Sequence, residues 1–210
     1  FQVKNQTTRK WARVTGASQA TPAAGFTVLT DAQGVAWARL RLDTLAGFDT
    51  VEVTSSAPGG SALADSPLRF AAHAAAGTAR RLSFTQQPTT IAAGRSFDTL
   101  RVMVGDTFGN RVPTAVPAVT LVLHGATGAV LAGTKNVTAD TGVATFGQLN
   151  LTIDRAGTDY RLIAVATGLK PDTSTVFGVT WGAANRIVFR VQPSTVRAAQ
   201  PFTPTIEVAL

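Results

Sequence analysis

The chain has no cysteine. No disulfide can staple it, and no thiolate is available as a nucleophile or zinc ligand. Its two histidines, His73 and His124, lie far apart in sequence. Since a metal site gathers three or four ligands, each reads as a surface or strand-edge residue. No apolar run approaches the roughly 20 residues a helix needs to cross a bilayer. The opening "FQVKNQTTRK" lacks a methionine and has neither the apolar core nor the small-residue cleavage site of a signal peptide. It is expected to be a processed end or a cut within something longer. No G-x-S-x-G elbow occurs, and "APGGS" and "GATGAV" lack the lysine and strand-to-helix setting of a phosphate loop. No segment shows a helical period. No catalytic residue and no metal ligand is therefore nominated, no cofactor is called for, and the protein is expected not to be an enzyme. A structural calcium ion between loops would need several converging oxygens. The acidic residues, Asp31, Asp49, Asp106, Asp140, Asp154 and Asp159 among them, are placed mainly in turns, accepting local backbone hydrogen bonds.

What is present is alanine, valine, threonine and glycine, with a net charge of +7 carried by 15 arginines against 4 lysines. A basic balance can serve nucleic acid, anionic polysaccharide or an acidic membrane surface. The arginines are scattered rather than clustered, so dispersed solubilising charge is the first reading and a polyanion-binding face the second; no specific nucleic acid is expected.

The chain repeats itself. "RRLSFTQQPTTIAAGRSFDTLRVMV" returns as "NRIVFRVQPSTVRAAQPFTPTIEVAL", with Arg81, Phe84, Gln87, Pro88 and Phe97 each answered 105 positions later by Arg186, Phe189, Gln192, Pro193 and Phe202. Gly34-Val35-Ala36 is answered by Gly142-Val143-Ala144, and Ala46-Gly47 by Ala156-Gly157. A period of this size is too long for a solenoid and suits a whole sandwich domain. The expected organisation is residues 1–78 as a repeat lacking its first strands, 79–183 as a complete repeat, and 184–210 as the first strands of a third.

Within the repeat, short strands alternate with turns such as "DAQG", "GDTFGN" and "DTG". In "LNLTI", Leu149, Leu151 and Ile153 share one face and Asn150 and Thr152 the other; in "ARLRL", Ala38, Leu40 and Leu42 oppose Arg39 and Arg41. Further strands are expected over 82–85, 100–104, 119–123, 159–166 and 175–181. The pattern indicates an all-β chain of tandem antiparallel immunoglobulin-like β-sandwiches.

The run "TDAQGVAWARLRLDTLAGFDTVEV…SPLRFAAHA", followed by A-x-R-L-x-F-x-x-Q-P and V-x-D-x-F-G-N, resembles the tandem bacterial immunoglobulin-like repeats of invasin and intimin type. That resemblance covers nearly the whole chain and implies an exported protein of a bacterial surface, extracellular or cell-bound. Such repeats serve there as stalks, adhesins or fibre modules. The first repeat departs from it, carrying Lys4-Asn5-Gln6 in place of the Asp-x-Phe-Gly-Asn motif. The resemblance transfers no ligand site.

Two accounts fit the mid-repeat ends. Either these residues are a window on a longer array, or the segment from about Ala184 onward docks into the incomplete first repeat of a neighbouring copy. The donor side chains would then be Ile187, Phe189, Val191, Phe202, Ile206 and Val208. Trp37, Arg39 and Arg41 form a candidate interface row, since period two turns all three outward, where the second repeat has Gln148, Asn150 and Thr152. The tripeptides at Asn5, Asn136 and Asn150 match a glycosylation pattern that matters only in a eukaryotic secretory protein. The leading expectation is a structural module of an extracellular filament, stalk or surface layer, partnered by its own copies or adjoining repeats. The alternative is an adhesin segment binding a host receptor or an anionic glycan through a basic sheet face.

Overall fold

A computed structural model describes residues 30–55, 59–147, 150–184 and 186–209 with residue 27, and the backbone of three further strands within residues 2–23. Asn5 and Gln6, Gln148 and Leu149 lie outside the described residues. The chain is all-β: among the described residues there is no helix.

The first group of strands is β1 (Gln2–Lys4), β2 (Arg13–Gly16), β3 (Gln19–Ala23), β4 (Ala38–Arg41), β5 (Gly47–Val53) and β6 (Leu68–Ala74). They form two three-stranded sheets, ordered β1-β5-β6 and β3-β2-β4. The second group is β7 (Arg81–Gln86), β8 (Ile91–Ala92), β9 (Leu100–Gly105), β10 (Ala118–His124), β11 (Leu131–Ala132), β12 (Asn136–Thr138), β13 (Val143–Phe146), β14 (Thr152–Ile153), β15 (Gly157–Val165), β16 (Asp172–Thr173) and β17 (Phe177–Thr180). One sheet runs β12-β10-β15-β17-β8 with β16 on β15, a second β13-β9-β7, and β11 pairs with β14. A terminal hairpin joins β18 (Val188–Val191) to β19 (Glu207–Ala209).

Sequence alternation explains the second group. In β9, Leu100, Val102 and Val104 point inward and Arg101 outward; in β15, Tyr160, Leu162 and Ala164 are buried and Arg161 exposed. These inward rows meet Phe84, Leu121, Phe146 and Ile153 in one continuous core. That is the sandwich arrangement, two sheets closing over the side chains that each turns inward.

A tyrosine anchors one end. The Tyr160 hydroxyl donates to the Arg155 carbonyl at 2.8 Å, five residues upstream, and its ring lies 6.1 Å from that of Phe177. Phe97 meets Phe177 edge-on at 5.4 Å. A Cβ built on Gly125 would stand 2.5 Å from the Tyr160 ring, and one on Gly157 2.9 Å, so both positions must be glycine for the ring to seat.

Two expectations need correction. The segment "LNLTI" keeps its alternation where described, with Leu151 and Ile153 buried and Asn150 exposed, but only Thr152–Ile153 is strand. Asn150 has φ +52°, a left-handed conformation that asparagine tolerates and that breaks a pleat. Asp49 and Asp159 are not turn residues; both lie within strands, and Asp49 is buried. Asp31 does behave as expected, accepting from the Gln33 and Val35 amides at 3.0 and 2.8 Å.

Candidate functional site

The segment Gly105–Asn110 follows a buried strand and must reverse sharply. Asp106 closes the turn, its Oδ1 accepting the amides of Phe108 and Asn110, each at 2.9 Å, while Gly109 takes φ +89° at the crest. Local hydrogen bonds of this type are what aspartate brings to a turn.

The other half of the motif reaches outside it. Asp106 Oδ2 accepts from the Gly77 amide at 2.8 Å and from Asn110 Nδ2 at 2.9 Å. Asn110 Nδ2 also donates to the Thr44 carbonyl at 2.7 Å, and Asn110 Oδ1 accepts the Ala46 amide at 2.8 Å. The amide orientation is fixed by its partners, because a flip would set NH2 against N–H and O against C=O. Asp106 is 2% exposed and Asn110 9%. Burial alone would raise the Asp106 carboxyl, but hydrogen bonds from the Asn110 side chain and the Gly77, Asn110 and Phe108 amides outweigh it and hold the group down at about 2.

Thus two side chains tie the 44–46 turn of the first group, the connecting residue Gly77 and the β9 turn of the second group into one network. Beside it opens a cleft of about 520 Å³, with Leu45, Ala46 and Gly47 on one wall and Gly109, Arg111 and Pro113 on the other. Arg111 is its one charged residue, and among the described residues no cluster of histidine, aspartate or glutamate could hold a metal ion.

The sequence marked Asp106 and Asn110 as turn residues and missed the reach to Thr44 and Ala46, more than sixty positions away. It also missed a buried carboxylate on β5. Asp49 is 6% exposed, and its carboxyl is pushed up first by burial and then by the charge of Asp43. Asp43 spends Oδ1 on the Thr44 amide at 2.6 Å, whereas its buried Oδ2 has no partner. Period two carried the signal, since Asp49 shares a face with Val51, which is buried.

A raised carboxyl binds its proton more readily in the folded chain than in the unfolded one, so stability falls as pH rises through the interval between those two values. Asp49→Asn should therefore raise the melting temperature by a few degrees at neutral pH and give no gain below the ordinary carboxylate range. Thermal unfolding of both proteins across pH checks this, and a gain that persists in acid would sink it.

The remaining expected residues fall in two places. Trp37 is 55% exposed, Arg39 and Arg41 face outward, and Ala38, Leu40 and Leu42 are half-buried. Ile187, Phe189, Phe202, Ile206 and Val208 are exposed on the terminal hairpin segment, and Val191 is half-buried. Among the described residues no hydrogen bond, ion pair or ring contact joins the two sets. His73 is exposed with its ring 4.6 Å from Phe48, and His124 is exposed at the end of β10, so neither joins a cluster.

No family model matches the sequence, and no curated protein does. Among solved structures, similarity is found to a β-glycosidase from Bacteroides vulgatus, at 11% identity over 80% of this chain and 21% of that one, with a TM-score of 0.41. A glycoside hydrolase family 2 member from Bacteroides cellulosilyticus gives 12% identity, 79% and 22% coverage and a TM-score of 0.40. A β-glucuronidase of the same family gives 14%, 83% and 18%, with 0.41. This chain spans about a fifth of the length of each. All three are enzymes by name, which runs against the expectation from the sequence that the protein is not one, and each is matched over only about a fifth of its length. That likeness is compatible with the all-β fold that this chain's own strands show.

Proposed function

We propose that the chain is a structural module of a bacterial extracellular filament, stalk or surface layer, built from immunoglobulin-like sandwiches joined in series. The observation that carries this reading is the Asp106–Asn110 network, which fastens the turn at Thr44–Ala46 to the turn after β9 and so couples successive strand groups end to end. Its residues come from the D-x-F-G-N motif by which the sequence resembles the bacterial repeats.

Strand register supports a third unit. In β7 and β9, Ser83, Phe84 and Gln86 pair with Met103, Val102 and Arg101, with an irregularity after Phe84. In β18 and β19, Val188, Phe189 and Val191 pair with Ala209, Val208 and Glu207, with an irregularity after Phe189. The two hairpins correspond pair for pair once the stretch from Phe202 to Ile206 is counted as one residue longer than that from Phe97 to Leu100. The exposed Ile187, Phe189 and Val208 then belong to the inner face of that unit.

Copies join head to tail by strand complementation in this reading. β17 is flanked on its outer side by β8, in parallel, whereas among the described residues β6 pairs with β5 alone. A donor segment resembling 187–208 completes that edge, and a heterologous contact of this kind propagates into a fibre. Sedimentation and electron microscopy of the purified chain test it. Concentration-dependent linear oligomers, abolished by Phe189→Asp with Val208→Asp, are expected. A chain that stays monomeric at high concentration overturns strand exchange between copies.

A further inference from the structure

We infer that the outer face of the β3-β2-β4 sheet binds a carboxylated polysaccharide, with Trp37 as a stacking platform and Arg39 and Arg41 as carboxylate clamps. This inference does not rest on serial joining and concerns a different surface from the Asp106–Asn110 network.

The three strands read RVTG, QATPA and ARLR, with three arginines and no carboxylate. Backbone register sets Arg13 opposite Arg41 and Thr15 opposite Arg39, so cationic positions gather at one end of the ladder. β4 lies at the margin of its sheet, and its two arginines alternate outward between half-buried Ala38 and Leu40. Side chains at alternate strand positions stand about 7 Å apart, so Trp37, Arg39 and Arg41 make a row about 13 Å long. Among the described residues neither arginine has an ion-pair partner; the ion pair in that part of the chain joins Arg69 to Glu52. A guanidinium with unused donors in a planar fork matches a carboxylate in bidentate fashion. An exposed indole offers a flat apolar face to the C–H side of a sugar ring, with its N–H free to bond a hydroxyl. Arginine alone would suit any polyanion; the tryptophan in line with it favours a sugar chain bearing acids.

Affinity electrophoresis in polygalacturonate tests this, with dextran as the neutral control and single-stranded poly-dT as the nucleic-acid control. The full chain should be retarded by polygalacturonate and not by dextran, and retardation should weaken steeply with salt. R39A with R41A should weaken binding at least tenfold. W37A should weaken it severalfold while W37F, which keeps a ring, recovers most of it. R190A with R197A removes the same charge from the terminal segment and should leave binding close to that of the unaltered chain. Equal loss in both double variants, indifference to W37A, or stronger retention by poly-dT would each overturn the assignment. Fluorescence quenching on titration with the sugar gives a second readout, in which a response unchanged in W37F would also overturn it.

Discussion

Asp106→Ala is expected to destabilise the chain by an amount on the order of 3 kcal/mol, and to loosen the coupling between the strand groups before the core of the second group melts. The substitution leaves four N–H donors without their acceptor, at Gly77, Phe108 and twice at Asn110. A buried donor stripped of a charged partner costs about 1 to 3 kcal/mol, and Asn110 is then free to release Thr44 and Ala46 as well. Hydrogen exchange should show the Ala46 and Gly77 amides losing protection while those of Leu162 and Val102 keep it.

Asp106→Asn sharpens the test. The substitute preserves shape, but either orientation of its amide turns NH2 toward two N–H groups, so an intermediate loss is expected. An Asn variant as stable as the original would refute the role given to the second carboxylate oxygen. The pH dependence has a definite sign. A carboxyl held at about 2 contributes stability that is present above the ordinary value of 3.8 and lost as pH falls between them, and Asp106→Ala should flatten that acid limb of the unfolding profile.

Tyr160→Ala should cost still more, about 4 kcal/mol, because it empties a fully buried site beside Phe177 and also frees the Arg155 carbonyl. Tyr160→Phe keeps the packing and removes only the hydroxyl, so about 1 kcal/mol is expected. Urea unfolding of the pair separates the two contributions. If the phenylalanine variant loses as much as the alanine one, the hydroxyl bond governs the corner and the ring is secondary.

Strand positions could be read from the sequence where side chains alternate against one core. Arg101 between Leu100 and Val102, and Arg161 between Tyr160 and Leu162, announce β9 and β15 directly. Alternation failed at Asn150, whose side chain faces the expected way although its backbone has left the pleat, because period two reports facing and says nothing about the sign of φ. It was misapplied at Asp49, where the residue type suggested a turn and the spacing to Val51 pointed inward. The coupling site was half visible. The turn made by Asp106 and Gly109 is local and has a composition, but the partners of Asn110 are main-chain atoms of Thr44 and Ala46, and no side chain at those positions advertises that a carbonyl and an amide are wanted. Long-range bonds to backbone leave no mark on the residues that receive them.

A chain passing from one body to the next through a single thread is free to swivel about it, since the peptide dihedrals near Gly77 resist twisting only weakly. Here the thread has a strut beside it. Thr44 and Ala46 are gripped by Asn110 while Gly77 is gripped by Asp106, and the two gripping side chains are bonded to each other. Attachments beside the thread resist its torsion. A pull along the chain then loads the bonds at Thr44, Ala46 and Gly77 together, so the strut lets go cooperatively while the covalent thread holds.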